Sequence, residues 1–370
     1  MSAGDATCPD VVGIWHVGAR DGYLPIEWPA ELDQSSEFVL FDADPGAVGG
    51  AVVLADGRVS SARHVVVPSA LDSSEGDGDF RKTACPYAAG LAVFDEQFGN
   101  WSVFGNGSVD YILGEAHQLM GVERLPCTTL DAVWNQRRRH GIHAMASLLI
   151  IDAQGSSLAI LEGGAQSLLP EVDVVIAEVE LIPFYGGMPS FAGALPWLTA
   201  RGFWFADFLP EDSPWATPVR RPLGQRSGTL RGSADAIFIR DPAALKDQSA
   251  QRRGRYAVSC AAVGYLDLAC EAVANFTESE LATVHGFARA LKLATDALER
   301  VYPPSFRDSR NGSWKTDILS EFFGLTGEST PIEECLEGWG LNKLAKRVKG
   351  VRLTQVRELL EKARRVSAGT

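Results

Sequence analysis

A short apolar segment that ends in an acidic residue most strongly constrains how this chain can fold. Residues 148–151 are all Leu or Ile, the composition of a strand buried on both faces of a sheet. Asp152 follows directly, and Gln154 and Gly155 predict a tight turn into a helix that Gly163 ends. Ligands of open α/β sheets bind just outside the carboxyl ends of the strands. The segment therefore predicts an α/β fold with Asp152 at a ligand site.

Net charge and cysteine usage narrow the class of protein. The 370 residues suffice for two domains, or for one large domain with an appendage, and their formal net charge is -13. This charge argues against nucleic acid or an anionic membrane surface as the main partner. The 6 cysteines form no CxxC pair. We therefore expect reduced thiols and no metal site, rather than a zinc site or a disulfide framework.

We expect a cytoplasmic protein without a membrane span. The segment MSAGDATCPD at the start of the sequence is polar and acidic and lacks the apolar centre of a signal peptide. No apolar run approaches the roughly 20 residues that span a bilayer.

A βαβ unit in the first part of the chain predicts a nucleoside site. Its first strand, residues 11–17, ends in a glycine-containing turn at 18–22. A helix is expected at 26–32, and the second strand, 37–41, ends at Asp42. In such units the turn approaches the cofactor and an acid about 20 residues on binds the ribose hydroxyls. The turn reads G-x-x-x-G rather than the G-x-G-x-x-G that accommodates a pyrophosphate, which disfavours a nicotinamide oxidoreductase.

Two further segments could contribute to the same cleft. The third core strand, residues 64–68, leads to Leu71 and Asp72. Leu71 could cover an adenine ring while Asp72 faces its amino group, or Asp72 could simply belong to a turn. Residues 85–126 show no clear periodicity and combine glycines with aromatic side chains. They form either a lid or acceptor wall, or a surface excursion with its own apolar cluster.

Two carboxylates end the strand predicted at residues 172–180. We expect only one of them, Glu178 or Glu180, to reach the cleft. The segments 202–209 and 234–240 have strand composition and are predicted to be antiparallel neighbours.

From about residue 241 onward the pattern is helical, with no strand between the helices. The sequence therefore predicts two domains, residues 1–242 and residues 243–370, the second being an all-α appendage. We expect a homodimer, if one forms, to use this appendage.

Eight short motifs in a fixed order resemble those of the FkbM family of S-adenosylmethionine-dependent methyltransferases, over roughly residues 11–242. They are HVGARDG (16–22), FDADP (41–45), TLD (129–131), LLIIDAQGSSLAILEG (148–163), AEVE (177–180), PFYGG (183–187), LTARGF (198–203) and ADAIFIR (234–240). Each match alone is weak, and their joint order and spacing make the resemblance specific.

The resemblance implies an α/β fold, a Rossmann-like class I methyltransferase sheet with helices on both faces. It implies transfer of a methyl group from S-adenosylmethionine to a hydroxyl oxygen of a small-molecule or glycan acceptor, such as a sugar or a natural product. The turn at 18–22 would lie against the methionine part of the cofactor, Asp42 against the ribose, and Leu71 and Asp72 against the adenine. The expected cofactor contacts are His16, Gly18, Ala19, Arg20, Gly22, Asp42, Ala43, Leu71 and Asp72.

Methyl transfer to a hydroxyl benefits from a base that removes the proton of the acceptor. Asp152 is the first candidate because it ends a central strand, and Glu178 is the second. Gln154 and Glu180 are expected acceptor contacts. Tyr185 either contacts the acceptor or packs as a wall.

The chain departs from the family pattern at several polar positions. His16 stands for an acid, Arg20 for Asn, Ile150 for Lys and Ser157 for an acid. These replacements support a second hypothesis, a methyltransferase-fold binding module with weak or no turnover whose helical domain docks a partner. Retention of Asp42, Asp152 and Glu178 supports the enzyme. His16 is either a packed core residue or, if its ring faces the acceptor, a further base.

Overall fold

A computed structural model describes most of the first 284 residues. The described residues are 11–26, 28, 30–44, 46–48, 51–54, 57–104, 111–140, 145–186, 191–209, 215–218, 230–281 and 283–284. The helices predicted after residue 284 lie outside the described residues.

The described residues form the following strands and α-helices. The strands are β1 (Val12–Val17), β2 (Ser36–Phe41), β3 (Arg63–Val67), β4 (Ala70–Leu71), β5 (Gly76–Thr83), β6 (Ser102–Phe104), β7 (Tyr111–Ile112), β8 (Leu119–Thr128), β9 (Met145–Ile151), β10 (Val174–Glu180), β11 (Phe203–Phe208), β12 (Trp215–Thr217), β13 (Leu230–Arg231) and β14 (Ser233–Arg240). The helices are α1 (Leu113–Ala116), α2 (Leu130–Arg139), α3 (Ser157–Gly163), α4 (Phe191–Thr199), α5 (Ala250–Ala262), α6 (Leu266–Val273) and α7 (Glu278–Leu281).

A seven-stranded sheet forms the centre of the first part of the chain. Its strand order is β11-β14-β10-β9-β1-β2-β3, and β14 alone runs antiparallel to both of its neighbours. This is the order of a Rossmann-like class I methyltransferase sheet, so the predicted fold class is confirmed. The chain order reverses between β1 and β9, and such a switch point opens a crevice at the carboxyl ends of the two strands.

One face of this sheet is covered by helices. Alternate residues of the strands, such as Trp15, Leu149 and Val175, join one buried apolar cluster with side chains of α2, α3 and α4. Trp15 packs edge-on against Trp134 of α2, with 5.9 Å between ring centroids. The period of two along each strand thus assigns one set of side chains to this core.

Two smaller sheets accompany the central one. One has the order β4-β8-β5, with β8 and β5 paired antiparallel over most of their length. The other has the order β13-β12-β6-β7. Strands β6 and β7 and most of β8 come from the segment 85–126, for which the sequence predicted no regular structure.

The prediction of a helix at residues 26–32 is wrong. The described residues of this region form a 3-10 helix instead, Ala30–Ser35. Pro29 stands inside the predicted helix, where a proline removes a backbone donor and clashes with the preceding turn. The short helix accordingly begins only after this proline.

The chain divides into two compact units. The first contains residues up to Tyr23, Ser36–Val52 and Arg63–Ala244, and holds the central sheet. The second contains Leu24–Ser35, Val53–Ala62 and the residues from Leu245 onward. Its described α-helices are α5, α6 and α7, and it also contains the 3-10 helix Ala30–Ser35. The predicted domains, residues 1–242 and 243–370, stay a prediction, because most of the second lies outside the described residues.

Within the described ranges, no helix is both long and apolar enough to span a membrane. The cytoplasmic location and the homodimer stay predictions.

The turn after β1 packs directly on the end of β9. The Asp152 N–H donates to the Val17 carbonyl at 3.0 Å, which extends the β1–β9 ladder to the last residue before the turn. Gly18 then adopts a φ of 77°, and a Cβ at this position would stand 1.6 Å from the Asp152 carbonyl oxygen. Only glycine permits this backbone approach.

We expect Gly18→Ala to destabilise the fold by at least about 3 kcal/mol, because the new methyl group collides with backbone that cannot move independently of the sheet. Gly202→Ala is the matched control, since Gly202 has a φ of 79° but no atom within 4 Å of its Cβ position. It should cost only about 1 kcal/mol of backbone strain. Denaturant unfolding measures both, and equal losses would show that the contact with Asp152 contributes nothing.

Candidate functional site

A first cavity of about 140 Å³ opens at the carboxyl ends of β1, β2 and β9. Its apolar wall consists of side chains from several separate stretches of the first unit. The apolar lining includes Phe41, Ala70, Leu71, Phe80, Leu91 and Ile160. Its polar lining comes from Arg20, Asp42, Tyr87, Asp152 and Gln154. The cavity therefore combines an apolar wall with two carboxylates and a guanidinium.

Asp42 is the carboxylate at the end of β2. Its Oδ1 accepts the Asp44 N–H at 2.8 Å, which orients the side chain. Burial raises the pKa of Asp42, while the Asp44 N–H and the Arg20 charge act in the opposite direction. The half-buried carboxylate has further acceptor capacity, which suits a pair of ligand hydroxyls.

Five of the nine predicted cofactor residues line this cavity. They are Gly18, Arg20, Asp42, Ala43 and Leu71. Ala19 and Gly22 are buried beside it, and their backbone shapes the turn: the Ala19 N–H donates to the Phe41 carbonyl at 3.0 Å, and the Gly22 N–H to Ala19 at 3.0 Å.

The structure does not bring His16 or Asp72 to the cavity wall. His16 is 3% exposed within β1, and burial lowers its pKa to about 4, so it is a neutral core residue. Its position explains this outcome, because His16 lies one residue before the end of β1 and is paired there with Leu40 of β2 and Ile150 of β9. The Asp72 carboxylate accepts the Ser73 N–H at 2.7 Å and so belongs to a turn, the alternative open from the sequence.

A second cavity of about 210 Å³ adjoins the first. Gln154 and Tyr87 line both cavities, so the two share a wall. Its polar lining contains Glu178, Glu180, Tyr111, His117 and Tyr185. Its apolar lining contains Val103, Leu113, Phe184 and Ala216.

Gln154 joins the carboxylates at the shared wall. Its Nε2 donates to Glu178 Oε2 at 3.2 Å and to Asp152 Oδ1 at 3.3 Å. Tyr185 donates its hydroxyl proton to Gln154 Oε1 at 2.8 Å. Gln154 has a φ of 41°, and the next residue, Gly155, has a φ of 80°. A Cβ on Gly155 would stand 2.5 Å from the Tyr185 ring, so glycine is required for Tyr185 to reach this network.

Both strand-end glutamates line the second cavity, so the expectation that only one reaches the cleft is wrong. Glu178 and Glu180 are two positions apart on β10, and residues at this spacing lie on the same face of a strand. Glu178 is half-buried, and Glu180 is 5% exposed. Val179, between them, belongs to the helix-covered core on the opposite face.

The two glutamates are held as weak acids. Burial, the Asp152 charge and then the charges of Glu180 and Asp235 raise the pKa of Glu178 well above its usual value. Burial raises the pKa of Glu180 to about 7, although the N–H groups of Glu180 itself and Gly155 favour its ionised form. Asp152 is exposed at the mouth of the site and hydrogen-bonded to Glu178. Carboxyl groups arranged in this way titrate as a coupled set rather than one by one.

Sequence reasoning missed the partner of Tyr185. His117 Nε2 lies 3.2 Å from the Tyr185 hydroxyl, and its Nδ1 lies 2.9 Å from the Leu113 carbonyl. Phe94 stacks on the His117 ring, with 4.1 Å between centroids. No local pattern marks His117, although its segment, 85–126, does form a wall of the second cavity. Tyr87 and Tyr111 of the same segment also line the second cavity.

Among the residues that the structure describes, no group of three or more His, Cys, Asp or Glu side chains could hold a metal ion.

The strand order is that of a Rossmann-like fold. Two adjoining cavities lie at its switch point, with carboxylates at the strand ends between them. The sequence matches the Methyltransferase FkbM domain over residues 16–205, which is just over half of the chain. The protein belongs to the FkbM methyltransferase family, as the sequence motifs indicated, and is a methyltransferase. No curated protein and no solved structure matches the chain significantly.

We expect the raised pKa of Glu180 to make the stability of the protein depend on pH. A carboxyl whose pKa is raised on folding stabilises the fold fully below about pH 4.5, and this contribution is lost as pH rises through about 7. Glu180→Gln removes the cost of ionising a buried carboxylate. The thermal midpoint of the variant should therefore exceed that of the wild type increasingly from pH 5 to pH 8.

Glu162→Gln, at an exposed position of α3, is the matched control and should show no such trend. A constant difference between Glu180→Gln and wild type from pH 5 to pH 8 would contradict the prediction.

Proposed function

We propose that this protein transfers a methyl group from S-adenosylmethionine to a hydroxyl oxygen of a sugar, glycan or natural product. The observation that carries the proposal is the shared wall. Gln154 lines both cavities and donates hydrogen bonds to Asp152 and Glu178. Two carboxylates that can act as a base therefore lie between a cavity suited to a nucleoside and a second cavity suited to an acceptor.

The residues of the first cavity fit S-adenosylmethionine. Asp42 is oriented by the Asp44 N–H and offers its free acceptor capacity to ribose hydroxyls. Leu71 and Ile160 form an apolar surface for an adenine ring. Arg20 supplies a positive charge for the methionine carboxylate. The cofactor would contribute an activated methyl group on a sulfonium.

The protein chiefly orients the acceptor and removes its proton. Alignment of the two reactants accounts for much of the rate gain in a displacement of this kind. Glu178 faces the acceptor cavity, and Asp152 lies beside it at the border of the cofactor cavity. When one of this pair is ionised it can accept the hydroxyl proton, and Gln154 holds both carboxyl groups in place. Tyr185 fixes the amide of Gln154 through the Oε1 atom.

Two of the departures from the family pattern, His16 and Ile150, lie next to each other in the central sheet. The family has an acid at the position of His16 and Lys at the position of Ile150, and these residues are register partners on β1 and β9. Burial keeps His16 neutral, and Ile150 is 1% exposed. The chain therefore replaces one potential ion pair inside the sheet by a neutral pair. This supports turnover over the alternative of a binding module, since neither position borders the described cavities.

We expect S-adenosylmethionine to raise the thermal midpoint by several degrees at about 100 times its Kd, because it binds the folded state alone. NAD should have no effect. Asp42→Ala should abolish the shift, since it removes the ribose acceptor. Asp72→Ala should retain it, because that carboxylate accepts the Ser73 N–H outside the cavity lining. Absence of any shift in the wild type would disprove the assigned cofactor.

We expect Asp152→Asn and Glu178→Gln each to lower kcat by about 10²–10⁴-fold, as loss of a general base does. Both variants should bind S-adenosylmethionine within about threefold of wild type, because the ribose and adenine contacts are intact. Since the two carboxyl groups act as a unit, the double variant should be no slower than the slower single variant. Single-turnover kinetics with Glu162→Gln as control measures this. Multiplicative losses in the double variant would argue for independent roles.

A further inference from the structure

Glu180 lines the second cavity and has one carboxylate oxygen without a hydrogen-bond partner. Its Oε1 atom is buried and has no hydrogen-bond partner, although the side chain is 5% exposed and lines the cavity. The N–H groups of Gly155 and of Glu180 itself lie against the same carboxylate and favour its charged form. A buried carboxylate oxygen without a partner is costly, so this atom marks the position of a missing donor.

The surroundings of this oxygen are acidic. Glu178 and Glu180 line the cavity, and the charges of Asp152 and Asp235 also act on Glu178. Among the described residues that line the cavity, none is Lys or Arg, and burial lowers the pKa of His117 and so favours its neutral form. The described wall therefore supplies no cation to offset these carboxylates.

Aromatic side chains complete the wall. Tyr111, Tyr185 and Phe184 line the same cavity, as does Tyr87 at the shared wall. The faces of aromatic rings attract ammonium groups and also pack on the apolar faces of ring-shaped ligands. An anionic acceptor would meet only repulsion from the carboxylates, and a neutral hydroxyl would satisfy the free oxygen without offsetting its charge.

We propose that the acceptor carries an ammonium group beside the hydroxyl that is methylated, and that Glu180 binds this ammonium group. The acceptor class is thus an amino alcohol, such as an amino sugar or aminocyclitol. This proposal rests on the proposed methyltransferase function and assigns separate roles along β10. Glu178, which contacts Gln154 at the shared wall, serves the hydroxyl, and Glu180 selects the charge of the acceptor.

Three compounds built on the same six-membered ring test the charge preference. They are trans-2-aminocyclohexanol, trans-1,2-cyclohexanediol and 2-hydroxycyclohexanecarboxylate, which present an ammonium, a neutral and an anionic group beside a hydroxyl. Their affinities are measured by ligand-observed NMR titration at pH 7.5 on protein saturated with S-adenosylhomocysteine. The ammonium compound should bind at least about tenfold more tightly than the diol, because charge-assisted hydrogen bonds are the stronger kind. The anionic compound should bind most weakly.

Glu180→Gln should reduce the preference for the ammonium compound to less than about twofold, while leaving the affinity for the diol within about twofold. Glu162→Gln, on the exposed side of α3, should retain the full preference. The thermal midpoint of Glu180→Gln shows that it is folded. Equal binding of the three compounds by the wild type, or a preference that survives Glu180→Gln, would overturn the proposal. So would failure of all three compounds to bind.

Binding of the cofactor is measured first and separately. If S-adenosylhomocysteine raises the thermal midpoint and the ammonium preference is absent, the proposed methyltransferase function stands and the acceptor class is wrong. If S-adenosylhomocysteine does not bind, the proposed function fails, and the three titrations on the protein alone still decide whether Glu180 selects a cation.

Discussion

The close packing of two backbone segments, the turn after β1 and the end of β9, is the constraint on which the site depends. Gly18 lies against the Asp152 carbonyl with no room for a side chain, and the Asp152 N–H bonds to Val17. This contact holds the carboxyl ends of β1 and β9 side by side at the same edge of the sheet. Because Asp152 borders the first cavity and is joined through Gln154 to Glu178 in the second, a shift of β9 would displace both cavities together.

The parts of the site that lie at strand ends could be predicted from the sequence. An apolar run followed by an acid locates Asp42 and Asp152 without knowledge of tertiary structure, because the end of a strand is a local feature. The position of Glu178 can be predicted in the same way, whereas placing Glu180 at the same cavity requires the two-residue period of a strand. Asp72 shows the limit of this reasoning, since an acid after a strand can equally accept from the next backbone N–H.

The second cavity could not be predicted to the same extent, because its wall is assembled from distant segments. His117, Tyr185 and Ala216 meet there although they are far apart in the chain and belong to different elements. Their contacts depend on the pairing of β6 with β12 and on the aromatic cluster around Phe98 and Phe184. No periodicity within residues 85–126 encodes these pairings, so the sequence left a cavity wall as one of two alternatives and did not give its composition.

Tyr87 lines both cavities and is hydrogen-bonded to the turn after β1. Its hydroxyl donates to Asp21 at 2.5 Å, and Asp21 belongs to the turn after β1 and has a left-handed φ of 59°. The same ring lines both cavities, and the Arg20 guanidinium lies 5.8 Å from its centroid. A ligand that orders the turn after β1 would also order Tyr87 and, with it, one wall of the second cavity. If the proposed cofactor is that ligand, we expect compulsory order, with the cofactor first on and last off, which product-inhibition patterns distinguish from random addition.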